Sequence, residues 1–334
     1  MPAVSVLVPC YNVEKYIRQC LDSVVGQTLT DMEIICLNDG STDGTLALLQ
    51  EYAAKDSRVR IIDKPNSGYG DSMNKGLEAA TGEYIGIVES DDWAEADMFE
   101  ALYTLAKEHD ADMVKSNYFD YRGGESTLVE VLPEESLHQV LTPRERTEIF
   151  FKSTYIWTDL FRREWLNRCK IRFQPTPGAS YQDIGFNFKT LACAERAFFI
   201  KRAFLHYRRD NEASSVNNRG KTYCVCDEYS EIERFISKDK SLSPLLSIAI
   251  YRKYHVYYWN FRRLRMPSDY EFCMRGSKEF REDFTRGRVE EKLFKPKHYR
   301  RLRRWAFHPW LFILDELFSS NGRKKLMQAL RGEK

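Results

Sequence analysis

The sequence predicts an α/β fold, a doubly wound, mostly parallel sheet followed by a mostly helical C-terminal region. Three observations carry this prediction. Short apolar runs alternate with stretches of helical spacing over the first 117 residues, as strand–helix–strand crossovers require. The apolar runs are four to five residues long and bounded by polar turns, which suits buried strands. Beyond Arg219 the strand signal fades and helical periodicity takes over.

In chain order, residues 4–8 form an apolar strand and 14–25 a helix. A second strand covers 33–37 and a second helix 45–54, with Thr42 or Asp43 as its N-cap. Strands at 59–62 and 84–88 flank a helix at 71–80, and a helix at 96–109 leads to a strand at 113–115. Residues 118–131 read as a hairpin around Arg122-Gly123-Gly124-Glu125. His206 sits on a strand and is expected to be a satisfied, partly buried histidine. A helix starts near Ile184.

Composition bounds the class. A chain of 334 residues with 43% hydrophobic content supports roughly two domains of about 150 residues. Met1-Pro2-Ala3 runs straight into the first strand, so no leader is expected. No run approaches the ~18 apolar residues of a membrane span. The eight cysteines are scattered and lack zinc-ligand spacing, which predicts buried free thiols in a reducing cytosol. The net charge of +2 hides an asymmetry. Residues 286–334 carry 14 Lys and Arg against 5 Asp and Glu, a net of +9, leaving −7 for the rest.

The most informative stretch is Glu89-Ser90-Asp91-Asp92, directly after the apolar run at 84–88. Adjacent carboxylates repel unless a cation lies beside them, and a hard divalent ion such as Mg²⁺ or Mn²⁺ takes oxygen ligands and substrate phosphates. A solvated acidic turn is the plainer reading. Position favours the metal, because open α/β sheets bind ligands beyond the carboxyl ends of their strands. Two further loops reach that edge, Pro9-Cys10-Tyr11-Asn12 and Asn38-Asp39-Gly40-Ser41-Thr42-Asp43-Gly44-Thr45. Helix N-termini there favour anions. An aromatic ring to stack on a base, an acidic acceptor for a base N–H and a metal site are the parts a nucleoside diphosphate needs.

The segments VSVLVPCYN, CLNDGSTDGT, GEYIGIVESDDW and YQDIGF together resemble the family 2 glycosyltransferases, whose nucleotide-diphospho-sugar fold is called the A type. The resemblance is strong over 4–93 and looser through 156–163, 181–188 and 207–215. It implies that Pro9, Tyr11, Asp39, Gly68, Asn74, Asp91 and Arg208 hold the donor, with Tyr11 stacking on the base and Asp39 binding it. Asp91 and Asp92 would hold the metal, Asp183 would be the catalytic base, and Arg208 with Ser214-Ser215 would cover the diphosphate. Asp183 has a plainer reading as a helix cap. Three departures from the family pattern stand out: Glu89 in place of a common aspartate, Gln182 in place of a glutamate, and Met73 in place of an arginine. Lys75, next to Met73, reads as a solvated helix lysine.

The resemblance implies an inverting, Mg- or Mn-dependent transferase moving a sugar from a UDP-linked donor to a growing saccharide or lipid-linked saccharide. It divides the chain into a catalytic domain over 1–218 and a helical region with a basic tail over 219–334. The catalytic domain would have a nucleotide-binding half at 1–117 and an acceptor-side half at 118–218. The expected location is cytoplasmic, peripheral to the inner face of the plasma membrane. Two rival readings are a sugar-nucleotide pyrophosphorylase and a catalytically dead binding protein. The first is disfavoured because residues 8–12 lack a Gly-rich basic loop. The second is disfavoured by Asp91, Asp92 and Asp183. Trp93 is read as lining the donor sugar or wedging the next helix, Trp157 as packing or shaping an acceptor pocket, and the aromatics at 254–259 as core. The tail at 295–305, basic with interleaved aromatics and followed by an apolar stretch at 307–318, has two readings. One is contact with an anionic membrane, through cations and inserted Trp305, Phe307 or Trp310. The other is a packed helix with a solvated basic face. No nucleic-acid module accompanies the charge.

Overall fold

The structure, a computed structural model, describes residues 1–152, 155–179, 181–211 and 221–318. The chain forms two compact units, Met1–Asn217 and Asn218–Lys334. The first is built on one sheet. Its strands are β1 (Val4–Cys10), β2 (Met32–Asp39), β3 (Val59–Lys64), β4 (Tyr84–Ile87), β5 (Trp93–Ala94), β6 (Met113–Arg122), β7 (Glu125–Val129), β8 (Val140–Leu141), β9 (Asp159–Arg162) and β10 (Ala197–Arg208). Its helices are α1 (Ile17–Val25), α2 (Thr45–Lys55), α3 (Tyr69–Ala79), α4 (Met98–Glu108), α5 (Ile149–Lys152), α6 (Arg163–Arg168) and α7 (Gln182–Cys193).

The strand order is β3-β2-β1-β4-β9-β6-β10-β5, with β7 on β6 and β8 on β10. The pairs β1–β2, β2–β3, β1–β4 and β6–β10 are parallel, while β9 runs antiparallel between β4 and β6. The chain winds outward from β1 to β3 and then returns to place β4 on the other side of β1. The order therefore reverses at the β1/β4 boundary, where ligands bind in such sheets. Every residue of β1, β2 and β4 is buried, as expected for strands covered on both faces. Helix α4 shows how the cover forms: Met98, Phe99, Leu102 and Ala106 are buried, one stripe at helical spacing.

The strand–helix alternation matches the expected elements, with instructive differences. Helix α1 starts at Ile17 rather than 14, because Val13 and Glu14 donate their amides to Thr45 Oγ1 and Asp43 Oδ2 and are held in a loop. The N-cap of α2 is Gly44, not Thr42 or Asp43, although Asp43 still accepts the Thr45 amide at 3.0 Å. The strand at 113–115 and the hairpin at 118–131 are one ribbon, with β6 and β7 paired from Tyr118↔Val129 to Arg122↔Glu125. Strand β9 was not expected. Its Asp159 and Arg162 break the apolar run, yet Asp159 is buried against Lys115 at 2.7 Å.

In the second unit the described residues form helices only: α8 (Cys224–Ser237), α9 (Leu246–Arg263), α10 (Ser268–Thr285), α11 (Pro296–Phe307) and α12 (Pro309–Phe318), with short 3₁₀ turns between. Tyr254, Tyr257, Phe272, Phe280, Leu302, Trp305 and Phe312 form its core. The core reading of 254–259 holds for Tyr254 and Tyr257, whereas Tyr258 is half-buried and Trp259 is exposed. Among the described residues no helix is long and apolar enough to cross a membrane. All eight cysteines are free. Cys10, Cys20, Cys36, Cys226 and Cys273 are buried, while Cys169, Cys193 and Cys224 are half-buried, because they lie near helix ends rather than in strands.

Glu33 ties this sheet together. Its Oε1 accepts from Ser5 Oγ and from the Thr81 amide and hydroxyl, each at 2.7 Å, and Arg60 donates to Oε2. Burial alone would raise the Glu33 carboxyl, but these hydrogen bonds outweigh it and lower it to about 2 from an ordinary 4.5. A depressed carboxyl contributes stability above its unfolded pKa, and that stability is lost as pH falls towards the folded value. Glu33→Gln is expected to cost about 1–3 kcal/mol near neutrality. Denaturant midpoints of variant and wild type should converge as pH falls from about 4.5 towards 2.

Candidate active site

The carboxyl ends of β1, β2 and β4 share one edge because the three strands are parallel and in register, Val4↔Met32 and Val4↔Tyr84 onward. The loops after β1 and β2 lace together there. Asn12, at a left-handed φ of 53°, accepts the Thr42 amide on its side chain and donates its own amide to Ser41 Oγ. Glu14 Oε2 accepts the Gly44 amide at 2.6 Å. Pro9 lies within β1 opposite Leu37 and beyond the last β1–β4 pair, Leu7↔Ile87, a place that suits a residue with no N–H to give a ladder. Tyr11 stands out of the loop, 51% exposed, with its ring free to meet a planar ligand.

Asp39 ends β2 and is buried. Lys64, at the end of β3, ion-pairs with it, and the amides of Ser67 and Gly68 donate to its two oxygens at 2.8 and 2.9 Å. One carboxylate thus fixes the turn into α3. Gly68, at φ 95°, and Gly70 are needed there for close approach. A Cβ on Gly68 would stand 2.7 Å from Gly178 N and Thr176 O, and one on Gly70 would stand 2.0 Å from Gln174 O. The segment 173–178 therefore presses onto the start of α3. Asn74 clamps it, donating to Phe173 O and accepting from Phe173 N, both at 2.9 Å. Gln182 holds it from the other side, donating to Thr176 Oγ1 at 2.9 Å and Gly178 O at 3.0 Å. A glutamate could not donate these bonds, which gives the Gln182 departure a physical meaning. Met73 is fully buried in the core, and Lys75 pairs with Asp71 on the helix surface.

The acidic loop follows β4. Glu89 accepts the Tyr69 hydroxyl at 2.6 Å. Asp91 Oδ2 accepts from Asn211 at 2.8 Å. Asp92, 1% exposed, accepts the Arg208 amide on Oδ1 at 2.8 Å, while its Oδ2 is buried without a partner. Burial raises Glu89 to about 8, despite the Tyr69 bond, and the charges of Asp91 and Asp183 add to the rise. Asp92 is raised well above the usual range by burial, then by Asp91 and Glu89. Four carboxyl groups therefore share one field. Among the described residues no three His, Cys, Asp or Glu side chains form a complete metal cage. The orphaned Asp92 oxygen beside Asp91 nevertheless fits a hard cation that takes one or two carboxylates and fills its shell with phosphate oxygens.

Asp183 lies in the first turn of α7, whose N-cap is Tyr181 in the left-handed region. The cap reading of Asp183 is thus replaced by a first-turn position, where the helix dipole favours a carboxylate. Its charge is felt by both Glu89 and Tyr69. Arg208 ends β10. Its Nε donates to Asp91 O at 2.8 Å, its Nη2 donates to Gln19, and its guanidinium lies over Trp93, Tyr16 and Tyr121. Trp93 stacks on His206 with 4.8 Å between centroids. His206 is satisfied by Ser126 and Glu95. Ser214 and Ser215 lie outside the described residues.

Sequence reasoning missed Lys64, Tyr69, Gln19 and Asn211, each of which holds a site residue. Lys64 left one signal, a lone cation ending a strand at the binding edge. The others come from separate parts of the chain and left none.

Residues 5–170 match the family model described as glycosyl transferase family 2. The Bacillus subtilis (strain 168) protein named uncharacterized glycosyltransferase EpsJ is 34% identical over 216 residues, 63% of this chain and 62% of that protein. The chain thus spans a little under two thirds of that relative's length. The Escherichia coli (strain K12) protein named uncharacterized glycosyltransferase YibD is 30% identical over 261 residues, 75% of this chain and 74% of its own. Among solved structures, S. aureus TarS 1-349 in complex with UDP-GlcNAc superposes with a TM-score of 0.61 at 20% identity, covering 90% of each chain. Mannosyltransferase PcManGT from Pyrobaculum calidifontis, in complex with GDP-Man and Mn²⁺, gives 0.53 at 16% identity, covering 96% of this chain and 88% of that one. At these identities the structural likeness speaks for the fold, which is the A-type glycosyltransferase fold.

Proposed function

The chain belongs to glycosyl transferase family 2, and from that premise we propose that it is an inverting, divalent-metal-dependent transferase moving a sugar from a UDP-linked donor to a hydroxyl of a growing saccharide. The observation that carries this reading is the buried, partnerless Asp92 Oδ2 within a cluster of four carboxyl groups at the switch point of the sheet. Solved structures of the same fold holding UDP-GlcNAc, and GDP-Man with Mn²⁺, support it.

In this reading Tyr11 stacks on the base, and Asp39 accepts a base N–H on a remaining lone pair while Lys64 balances its charge. Asp91 and Asp92 hold the metal, which when bound acts as a Lewis acid on the leaving diphosphate. Arg208 keeps Asp91 and Asp92 in place through two hydrogen bonds. Gly68 and Asn74 serve the donor indirectly, by seating the loop at 66–68 and the segment at 173–178. Asp183 takes the proton of the acceptor hydroxyl as its oxygen bonds to the anomeric carbon. The bond from that carbon to the diphosphate oxygen breaks in line, and its electron pair leaves with the nucleotide. One displacement inverts the centre, so a UDP-α-sugar gives a β-glycoside.

The basic tail supplies a membrane contact in this proposal. Lys295, the N-cap of α11, and Lys297, Arg300 and Arg303 within it are exposed, and Trp310, Leu311, Leu314 and Phe318 are exposed on α12. Trp305 is excluded from insertion, because it is fully buried and donates to Cys273 O at 2.9 Å. Arg301 and Arg304 are engaged by Glu316 and Asp315. Cations beside an apolar surface suit anionic lipid and a lipid-linked acceptor, at the inner face of the plasma membrane.

Asp92→Asn keeps the acceptor for the Arg208 amide and removes the charge. Metal-dependent UDP release from the donor should fall to background, while the metal-free melting temperature holds or rises. Full activity in excess chelator would sink the metal assignment. Asp183→Asn should lower transfer by about 10² or more, with UDP affinity unchanged in a thermal-shift titration. A wild-type transfer rate would place the base elsewhere. Wild type should co-sediment with vesicles containing acidic phospholipid, each cation adding about 1 kcal/mol at most. Lys295, Lys297, Arg300 and Arg303 together changed to Glu should abolish this. Indifference to such vesicles at low salt would leave the tail as a solvated surface.

A further inference from the structure

Two thiols meet where α6 and α7 end. Cys169 caps the C-terminus of α6, and Cys193 is the last residue of α7. A buried tryptophan brings the two ends together. Trp165, one turn before Cys169, accepts the Cys169 amide on its carbonyl at 3.0 Å and donates its indole N–H to the Cys193 carbonyl at 3.4 Å. The Cys193 thiol donates a hydrogen bond to the Cys169 sulfur. Both residues are half-buried, unlike the five cysteines sealed in the core.

The surroundings make these thiols unequal to the rest. The Cys193 hydrogen bond holds the Cys169 thiol below its ordinary range, although burial and the charge of Asp112 oppose this, and the Arg168 guanidinium adds its charge and a hydrogen bond. A thiol beside a cation and open to solvent is the reactive kind. Burial instead pushes up Cys10, Cys20, Cys36, Cys226 and Cys273. Cys224 is half-buried, but Cys226 stands two residues along the same helix, a spacing at which side chains do not face each other.

We propose that Cys169 and Cys193 are a dithiol that hydrogen peroxide oxidises to a disulfide. The Cys169 thiolate attacks one peroxide oxygen. An S–O bond forms, the O–O bond breaks, and its electron pair leaves as hydroxide, giving a sulfenic acid. Cys193 then attacks the Cys169 sulfur. The S–S bond forms, the S–O bond breaks, and the oxygen leaves as water with the Cys193 proton. Two electrons pass from the thiols to the peroxide. The product closes a covalent loop from 169 to 193, which contains the segment at 173–178 and Asp183. Such a loop restricts the chain between its ends. The inference stands on these two side chains and does not depend on the transferase reading.

Peptide mapping of the reduced full chain after hydrogen peroxide treatment tests it. Folded wild type should lose two of its eight thiols and yield a Cys169–Cys193 linked peptide that dithiothreitol releases. Unfolding in urea before oxidation should scatter the links. Cys193→Ser should stop at the sulfenic acid, with dimedone captured at Cys169 about three- to tenfold faster than at Cys224. An unchanged thiol count, links between other cysteines or between two chains, the same map in urea, or equal capture at Cys224 each overturns the proposal. The wild-type map needs no variant, so a serine variant that fails to fold does not shield the proposal.

Discussion

Carboxyl groups crowded at the end of β4 are the constraint around which the first unit is organised. Glu89, Asp91 and Asp92 leave a buried strand within four residues, and Asp183 arrives from α7 to share their field. Bare, such a cluster opposes folding, since each charge raises the cost of the next. The chain meets that cost with donors from far away. Tyr69 comes from α3, Arg208 from β10 and Asn211 from beyond it, while Gln19 on α1 accepts from the Arg208 guanidinium. The cluster is thus a junction between the two sides of the sheet, and its repulsion is what a bound cation would relieve.

Asp39 does the corresponding work on the other side. It is less a projecting ligand than the anchor of a turn, with Lys64, Ser67 and Gly68 all donating to it. That turn starts α3, and α3 bears the segment at 173–178 that leads into Asp183. Asp39 and the segment preceding Asp183, the two residues proposed for donor binding and for the base, are therefore mechanically connected through two glycines and the Asn74 clamp.

The parts of this design legible in the sequence are those written in one short stretch. Apolar runs at 4–8, 33–37 and 84–88 announce the parallel strands, and the acidic tetrapeptide announces the site. Strand β9 was hidden because Asp159 reads as polar until Lys115 is found beside it. The partners of the carboxylates were hidden for the same reason, since Tyr69 and Asn211 acquire meaning only from carboxylates 20 and 120 residues away. Trp305 shows the opposite error. A tryptophan among arginines looks like a membrane anchor, but its spacing on α11 turns it inward onto Phe312 and Cys273.

The position of β9 also bears on how the first unit is made. This strand, at 159–162, lies between β4 and β6, so the middle of the sheet lacks a member until that segment has left the ribosome. Until then β4 presents an open edge of unpaired amides and carbonyls, the kind of edge that invites pairing with another chain. Domains emerge N-terminus first at roughly 5–20 residues per second, so the interval from β4 to β9 is several seconds of exposure. The antiparallel insertion therefore delays closure of the sheet until residues 159–162 are available to pair with β4 and β6.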